Sequence, residues 1–163
     1  MLDAIRWDTD LIHRYDLAGP RYTSYPTAVQ FDSQVGTFDL LHALRDSRKA
    51  VRPLSLYVHV PFCANICYYC ACNKVITKDR GRAQAYLQRL EQEIQLVACH
   101  LDPKQPVEQL HFGGGTPTFL SHDELRQVMG RLRQHFHLLD DDSGDYGIEI
   151  DPREADWATM GLL

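Results

Sequence analysis

Three cysteines, Cys63, Cys67 and Cys70, stand in the run Tyr57-Val-His-Val-Pro-Phe-Cys-Ala-Asn-Ile-Cys-Tyr-Tyr-Cys, a C-x3-C-x2-C spacing after a strand-like segment. Three thiolates in one short loop read first as a metal or iron–sulfur ligand set. A closed tetrahedral zinc site takes four protein ligands, and an electron-transfer [4Fe–4S] cluster takes four cysteines. A set of three leaves one iron open for something else to bind. Zinc would need a fourth ligand, for which Cys72 or His59 could serve. The interval from Cys63 to Cys67 does not match the paired C-x2-C knuckles of structural zinc sites. A cluster with an open iron is therefore expected.

Other residues could do chemistry beside it. Cys72, two positions past Cys70, is awkward as a further ligand; it is either a small buried residue or a proton-handling group on the substrate side. Cys99 lies within a helical pattern and reads as core packing. The loop Gly113-Gly114-Gly115-Thr116-Pro117 lacks the Gly-Lys-Ser/Thr ending of a phosphate-binding loop. Its glycines are read either as a tight strand-to-helix turn or as room for a ligand against the backbone, with carbonyls free to accept from an ammonium group. His59 and His111 could be satisfied core histidines, His59 being the stronger functional candidate. Glu149 needs a cationic or hydroxyl partner if it points inward. Arg21, flanked by Tyr22 and Tyr25, is either a surface arginine or a clamp for a carboxylate.

These groups have to be positioned by a fold. Residues 1–52 are expected to form an N-terminal extension, with helix-like stretches near 3–17 and 38–49 around the proline-bounded segment 19–26. From residue 53 to 163 the pattern changes to strand–loop–helix units: a strand at 54–60 with a helix over about 79–100, a strand at 107–112 with a helix over about 121–136, and a strand at 146–150 before a last short helix. Ser121 with Glu124 fits a capping box. This alternation predicts an α/β fold of parallel strands. Within each strand one face is apolar: Leu56, Val58 and Val60; Leu110 and Phe112; Tyr146, Ile148 and Ile150. The other carries Tyr57 and His59, Gln109 and His111, and Glu149 and Asp151. In a β/α barrel that second face is the lumen, with chemistry at the C-terminal strand ends. The cysteines, the glycines and Glu149-Ile-Asp-Pro-Arg all fall at those ends, so they are expected to converge.

Composition narrows the classes further. The 163 residues, 44% hydrophobic, amount to about one domain, and the net charge of −5 argues against a general nucleic-acid binder. No apolar run reaches membrane-spanning length, and the start carries acids where a signal peptide would be apolar. Five cysteines, four of them within positions 63–72, do not form a disulfide framework, so a reducing cytoplasm is expected.

The C-x3-C-x2-C loop with the aromatic Tyr69 before its last cysteine resembles the radical S-adenosylmethionine superfamily. The runs 19–26 (Gly-Pro-Arg-Tyr-Thr-Ser-Tyr-Pro), 53–63, 67–74, 110–118 and 148–154 resemble, in order, the oxygen-independent coproporphyrinogen III oxidase family. The resemblance implies the N-terminal part of a radical SAM partial barrel, about three β/α units, behind a mostly helical extension. It implies that Cys63, Cys67 and Cys70 hold a [4Fe–4S] cluster whose open iron takes S-adenosylmethionine. Reductive cleavage would then give a 5′-deoxyadenosyl radical, which abstracts hydrogen from substrate propionates. Two oxidative decarboxylations would convert coproporphyrinogen III to protoporphyrinogen IX in heme biosynthesis. Tyr57 would lie near the sulfonium and Tyr69 near the adenine. Gly114, Gly115 and Thr116 would bind the methionyl part and Glu149 the ribose. Arg21 would face the substrate, and His59 and Cys72 match positions implicated in activity. A flavodoxin or ferredoxin would supply electrons. Family members run to several hundred residues, so a chain of this length is expected to cover only the first units, with an exposed sheet edge and apolar surface. Unless another chain or a dimer covers them, poor solubility or a swapped assembly is expected. Two other readings share the motifs: a heme-trafficking relative, which usually lacks Cys-Ala-Cys-Asn-Lys and the 19–26 segment, and a cluster-binding fragment without turnover.

Overall fold

The computed structural model describes residues 7–17, 27–68 and 70–163, which belong to two compact units, Met1–Gly36 and Thr37–Leu163. Arg21 and Tyr69 lie outside the described residues. In the first unit, helix α1 (Thr9–Tyr15) starts where the Asp8 carboxylate accepts from the Leu11 N–H at 2.9 Å and satisfies an otherwise orphaned donor. The expected 3–17 helix is thus seen over its described centre.

The second unit opens with α2 (Thr37–Ala50), a helix that the sequence pattern grouped with the N-terminal extension. What fastens it here is Gln105, fully buried, whose side-chain amide donates to the Ser47 and Arg52 carbonyls at 3.2 and 2.7 Å. A buried amide with its bonds made is worth keeping in the interior; left unpaired it would cost free energy.

Strand β1 (Leu54–Val60) leads into a short strand β2 (Phe62–Cys63), which pairs in parallel with β3 (Val75–Ile76). Helix α3 (Arg82–Ala98) follows, then β4 (Pro106–Gly114), helix α4 (His122–His135), β5 (His137–Leu138), β6 (Asp145–Ile148) and α5 (Trp157–Leu162). All sheet pairs are parallel. β4 is central, with β1 on one side and, on the other, β5 against its start and β6 against its middle. The two-residue segments β2, β3 and β5 carry no periodic signal in the sequence, and none was expected.

The alternation works as expected on the first two strands. Val58, Val60, Leu110 and Phe112 are buried with Leu87 and Ile94 of α3 and Leu125, Val128 and Leu132 of α4. Each such side chain contributes about 1.5–3 kcal/mol by leaving water. The third strand runs over Asp145–Ile148 instead of the expected 146–150. Only its Ile148 packs against this core, while Tyr146 and, past the strand end, Ile150 are each 38% exposed. The capping box at α4 is formed: the Ser121 hydroxyl accepts from the Glu124 N–H, and Glu124 Oε2 accepts from the Ser121 N–H at 2.8 Å. Cys99 departs from its expected place in the core. It caps the end of α3, exposed, its thiol donating to the Leu96 carbonyl. No helix among the described residues is long and apolar enough to cross a membrane.

Candidate functional site

The cysteine loop is a closed excursion between β2 and β3. Its base is fastened by the Val75 N–H to the Pro61 carbonyl at 2.7 Å and the Thr77 N–H to the Cys63 carbonyl at 2.9 Å. Cys63, on β2, is buried, and Cys67 and Cys70 are half-buried. A turn from the Cys70 N–H to the Cys67 carbonyl sets the spacing of the last two, and Lys74 Nζ donates to the Cys70 and Cys72 carbonyls at 3.1 and 3.2 Å. All five thiols are free. Among the described residues no three His, Cys, Asp or Glu side chains are gathered as a metal site.

Hydrogen bonds from Cys72, with Lys74 beside it, lower the Cys70 thiol below its ordinary value; the same bond and the charge on Cys70 raise Cys72. Cys72 is exposed, so it is not the small buried residue that was one reading of it. It lies near enough to Tyr57 and Glu149 for their charges to be felt between them.

The open face of the sheet carries the second group. Tyr57 Oη lies 3.2 Å from His59 Nδ1, and His59 Nε2 lies 2.9 Å from the Asn73 carbonyl. A carbonyl can only accept, so Nε2 carries the proton, and a neutral His59 leaves Nδ1 to accept from the Tyr57 hydroxyl. Partial burial first, then the charges of Glu149 and Cys72, raises the Tyr57 phenol above its ordinary value. The His111 ring stacks on Tyr57 at 6.0 Å, with its Nε2 3.4 Å from Glu149 Oε1. Glu149 Oε2 in turn accepts from the Gly114 N–H at 3.2 Å. Behind this face Tyr86, raised to about 12 chiefly by its burial, donates to the His59 carbonyl at 2.6 Å.

The glycine loop after β4 is explained by what presses on it. A Cβ on Gly113 would come 2.9 Å from Tyr57 Oη, and one on Gly114 2.7 Å from the His59 ring, at a φ of +110° that side chains avoid. A Cβ on Gly115 would meet the Phe62 carbonyl oxygen at 2.6 Å. The Gly115 and Thr116 N–H groups are spent on the Val60 and Phe62 carbonyls. The Thr116 hydroxyl donates to Cys63 Sγ at 3.6 Å.

The third strand end reaches the cysteine loop as well. Arg153, paired with Asp151 at 2.6 Å, donates to Cys67 Sγ at 3.7 Å. Glu154 accepts from Asn65 Nδ2 at 3.0 Å and from Arg80 at 3.4 Å; Arg80 lies 4.3 Å over the Phe119 ring and donates to the Phe119 carbonyl. Sequence reasoning gave no role to Asn65, Asn73, Arg80, Arg153 or Glu154. The charged run after the third strand was the available signal for Arg153 and Glu154. Asn73 acts through its main chain, so its side chain announces nothing.

The model of the radical SAM superfamily matches residues 57–151. The oxygen-independent coproporphyrinogen III oxidase of Pseudomonas aeruginosa is 77% identical over the whole chain, which spans 35% of that relative. The one from Escherichia coli is 46% identical over 98% of the chain, which spans 34% of it. The Mannheimia haemolytica protein of the same name is 46% identical, with 93% of this chain covering all of it. The solved structure of the Escherichia coli coproporphyrinogen III oxidase, a radical SAM enzyme, superposes with a TM-score of 0.77 at 42% identity, covering 97% of this chain and 34% of that one. The chain thus spans about a third of the length of most of these relatives. The parallel sheet, the convergence of three strand-end loops and these similarities together place the chain in the radical SAM superfamily, within the oxygen-independent coproporphyrinogen III oxidase family.

Proposed function

We propose that this chain carries the cluster- and cofactor-binding part of an oxygen-independent coproporphyrinogen III oxidase, an oxidoreductase acting on coproporphyrinogen III in porphyrin biosynthesis. The observation that carries the reading is the joining of three strand-end loops: His59 to Asn73, Glu149 to Gly114, and Thr116 and Arg153 to the sulfurs of Cys63 and Cys67. Three free thiols on one loop, with hydrogen-bond donors aimed at two of the sulfurs, are the ligand types a [4Fe–4S] cluster takes, although among the described residues they are not gathered as a metal site. When bound, the cluster and S-adenosylmethionine supply the one-electron chemistry that takes hydrogen from a substrate propionate.

In this reading Cys63, Cys67 and Cys70 ligate iron. Thr116 and Arg153 orient two of the thiolates, as hydrogen bonds around a metal's ligands generally do. Because the N–H groups of Gly115 and Thr116 are engaged within the protein, the glycine loop receives the cofactor's ammonium on its carbonyls. Glu149 has acceptor capacity beyond the Gly114 bond for a ribose hydroxyl. Tyr57 holds its proton against His59 Nδ1, and the exposed Cys72 thiol is available to a substrate. Tyr69 contacts the adenine and Arg21 a substrate carboxylate. Electrons enter from a flavodoxin- or ferredoxin-type donor, in the cytoplasm.

Anaerobic reconstitution with iron and sulfide tests this reading. Wild type, Cys72→Ser and Cys99→Ser should each retain about four irons and four sulfides per chain. Cys63→Ser, Cys67→Ser and Cys70→Ser should fall to background. Full content in any of those three, or zinc bound without sulfide, would refute the ligand assignment.

A further inference from the structure

Residues 151–154, a little past the end of β6, grip the cysteine loop at two points. Asp151 Oδ1 accepts from the Arg153 N–H at 3.0 Å and from Nε at 2.9 Å, while Oδ2 accepts from Nη2 at 2.6 Å. This fork fixes the guanidinium in plane and direction. The same Nη2 reaches Cys67 Sγ at 3.7 Å across 86 positions of sequence. One residue on, Glu154 holds Asn65, two positions before Cys67, and links it through Arg80 to Phe119 after the glycine loop.

The burial of the pair is uneven. The Asp151 side chain is 16% exposed and that of Arg153 60% exposed. Packing therefore does not dictate where Arg153 goes; the half-buried carboxylate does. An exposed arginine–carboxylate pair alone contributes little to stability. What this one does is hold a permanent cation, with a donor, over one particular sulfur.

We infer that Arg153 is a positioning residue that donates to the Cys67 sulfur and raises the reduction potential of a cluster bound there, with Asp151 as its aligning partner. The inference rests on the cluster reading above. A hydrogen bond and a positive charge at a ligating sulfur stabilise the more negative, reduced cluster, and such bonds are among the determinants of iron–sulfur potentials.

The test is an anaerobic redox titration of the reconstituted chain, comparing wild type with Arg153→Gln and Arg153→Lys, with circular dichroism and iron content as controls. Arg153→Gln should keep its iron and fold while its reduction equilibrium falls about tenfold, about 59 mV for a one-electron couple. Arg153→Lys, which keeps the charge but not the fork, should fall between the two. Equal potentials in wild type and Arg153→Gln, both with full clusters, would overturn the inference and leave the cluster reading standing. Loss of iron from Arg153→Gln that Arg153→Lys does not restore would make the residue structural and overturn it too. A wild-type chain that assembles no cluster would refute the cluster reading itself, and this inference with it.

Discussion

Along β1 and β4, neighbouring residues of one strand live in different solvents. Val58 and Leu110 are 5% and 2% exposed against the helices, while Tyr57, next in sequence to Val58, is 58% exposed. The buried face is held by apolar contact, which is non-directional and tolerates exchange of like for like. The open face is held by directed bonds between Tyr57, His59, His111, Glu149 and Gly114. The two faces should therefore fail separately under mutation: the helix side by losing stability, the open side by losing chemistry.

The largest expected break in that comparison is Leu110→Ala, which should cost about 2–5 kcal/mol in urea unfolding, because it removes a buried side chain from the central strand. Its neighbour on the open face, His111→Ala, should stay within about 0.5 kcal/mol. Equal losses would mean that both faces are core. Gly115→Ala joins the two behaviours. Its Cβ would press on the Phe62 main chain just before Cys63, so about 1–3 kcal/mol should go together with iron binding. Retention of full iron content by this variant would show that the glycine loop does not brace the cysteine loop.

A smaller effect is expected far from the site. Ser121→Ala removes the α4 capping box and should cost about 1 kcal/mol without changing iron content. The smallest is seen in acid. Hydrogen bonds from Arg153, the side chain first and then the backbone N–H, hold the Asp151 carboxyl below the usual carboxylate range. Its folded pKa lies under the unfolded value, so its contribution is present above about pH 4 and is lost as pH falls through the folded value. Asp151→Asn should flatten the acid limb of the stability–pH curve below that point. An unchanged limb would mean the fork contributes nothing to folding.

The helix face was legible in the sequence because burial writes a period: Leu87 and Ile94 on α3, and Val58 and Val60 on β1, recur at the spacing their elements demand. The convergence of cysteines, glycines and Glu149 followed from their common place at strand ends. Other features left no such trace. Cys99 sat at a helical position that the core does not reach, because α3 ends at Ala98. The glycines could be read as a tight turn or as room for a ligand, but the neighbours a Cβ would meet, namely Tyr57, His59 and the Phe62 main chain, could not be read. The ties from Arg153 and Glu154 join residues 86 and 89 positions apart, a pairing fixed only once β6 lies beside β4.

The central claim is that the three cysteines hold a cluster whose open iron faces the cofactor loops. Its most direct test is electron paramagnetic resonance of the reduced, reconstituted chain with and without S-adenosylmethionine. A [4Fe–4S] signal that shifts when the cofactor is added is the predicted result. A full-occupancy cluster whose signal does not move would contradict the account, since the iron would then be closed to the cofactor or the cofactor loops unable to present it.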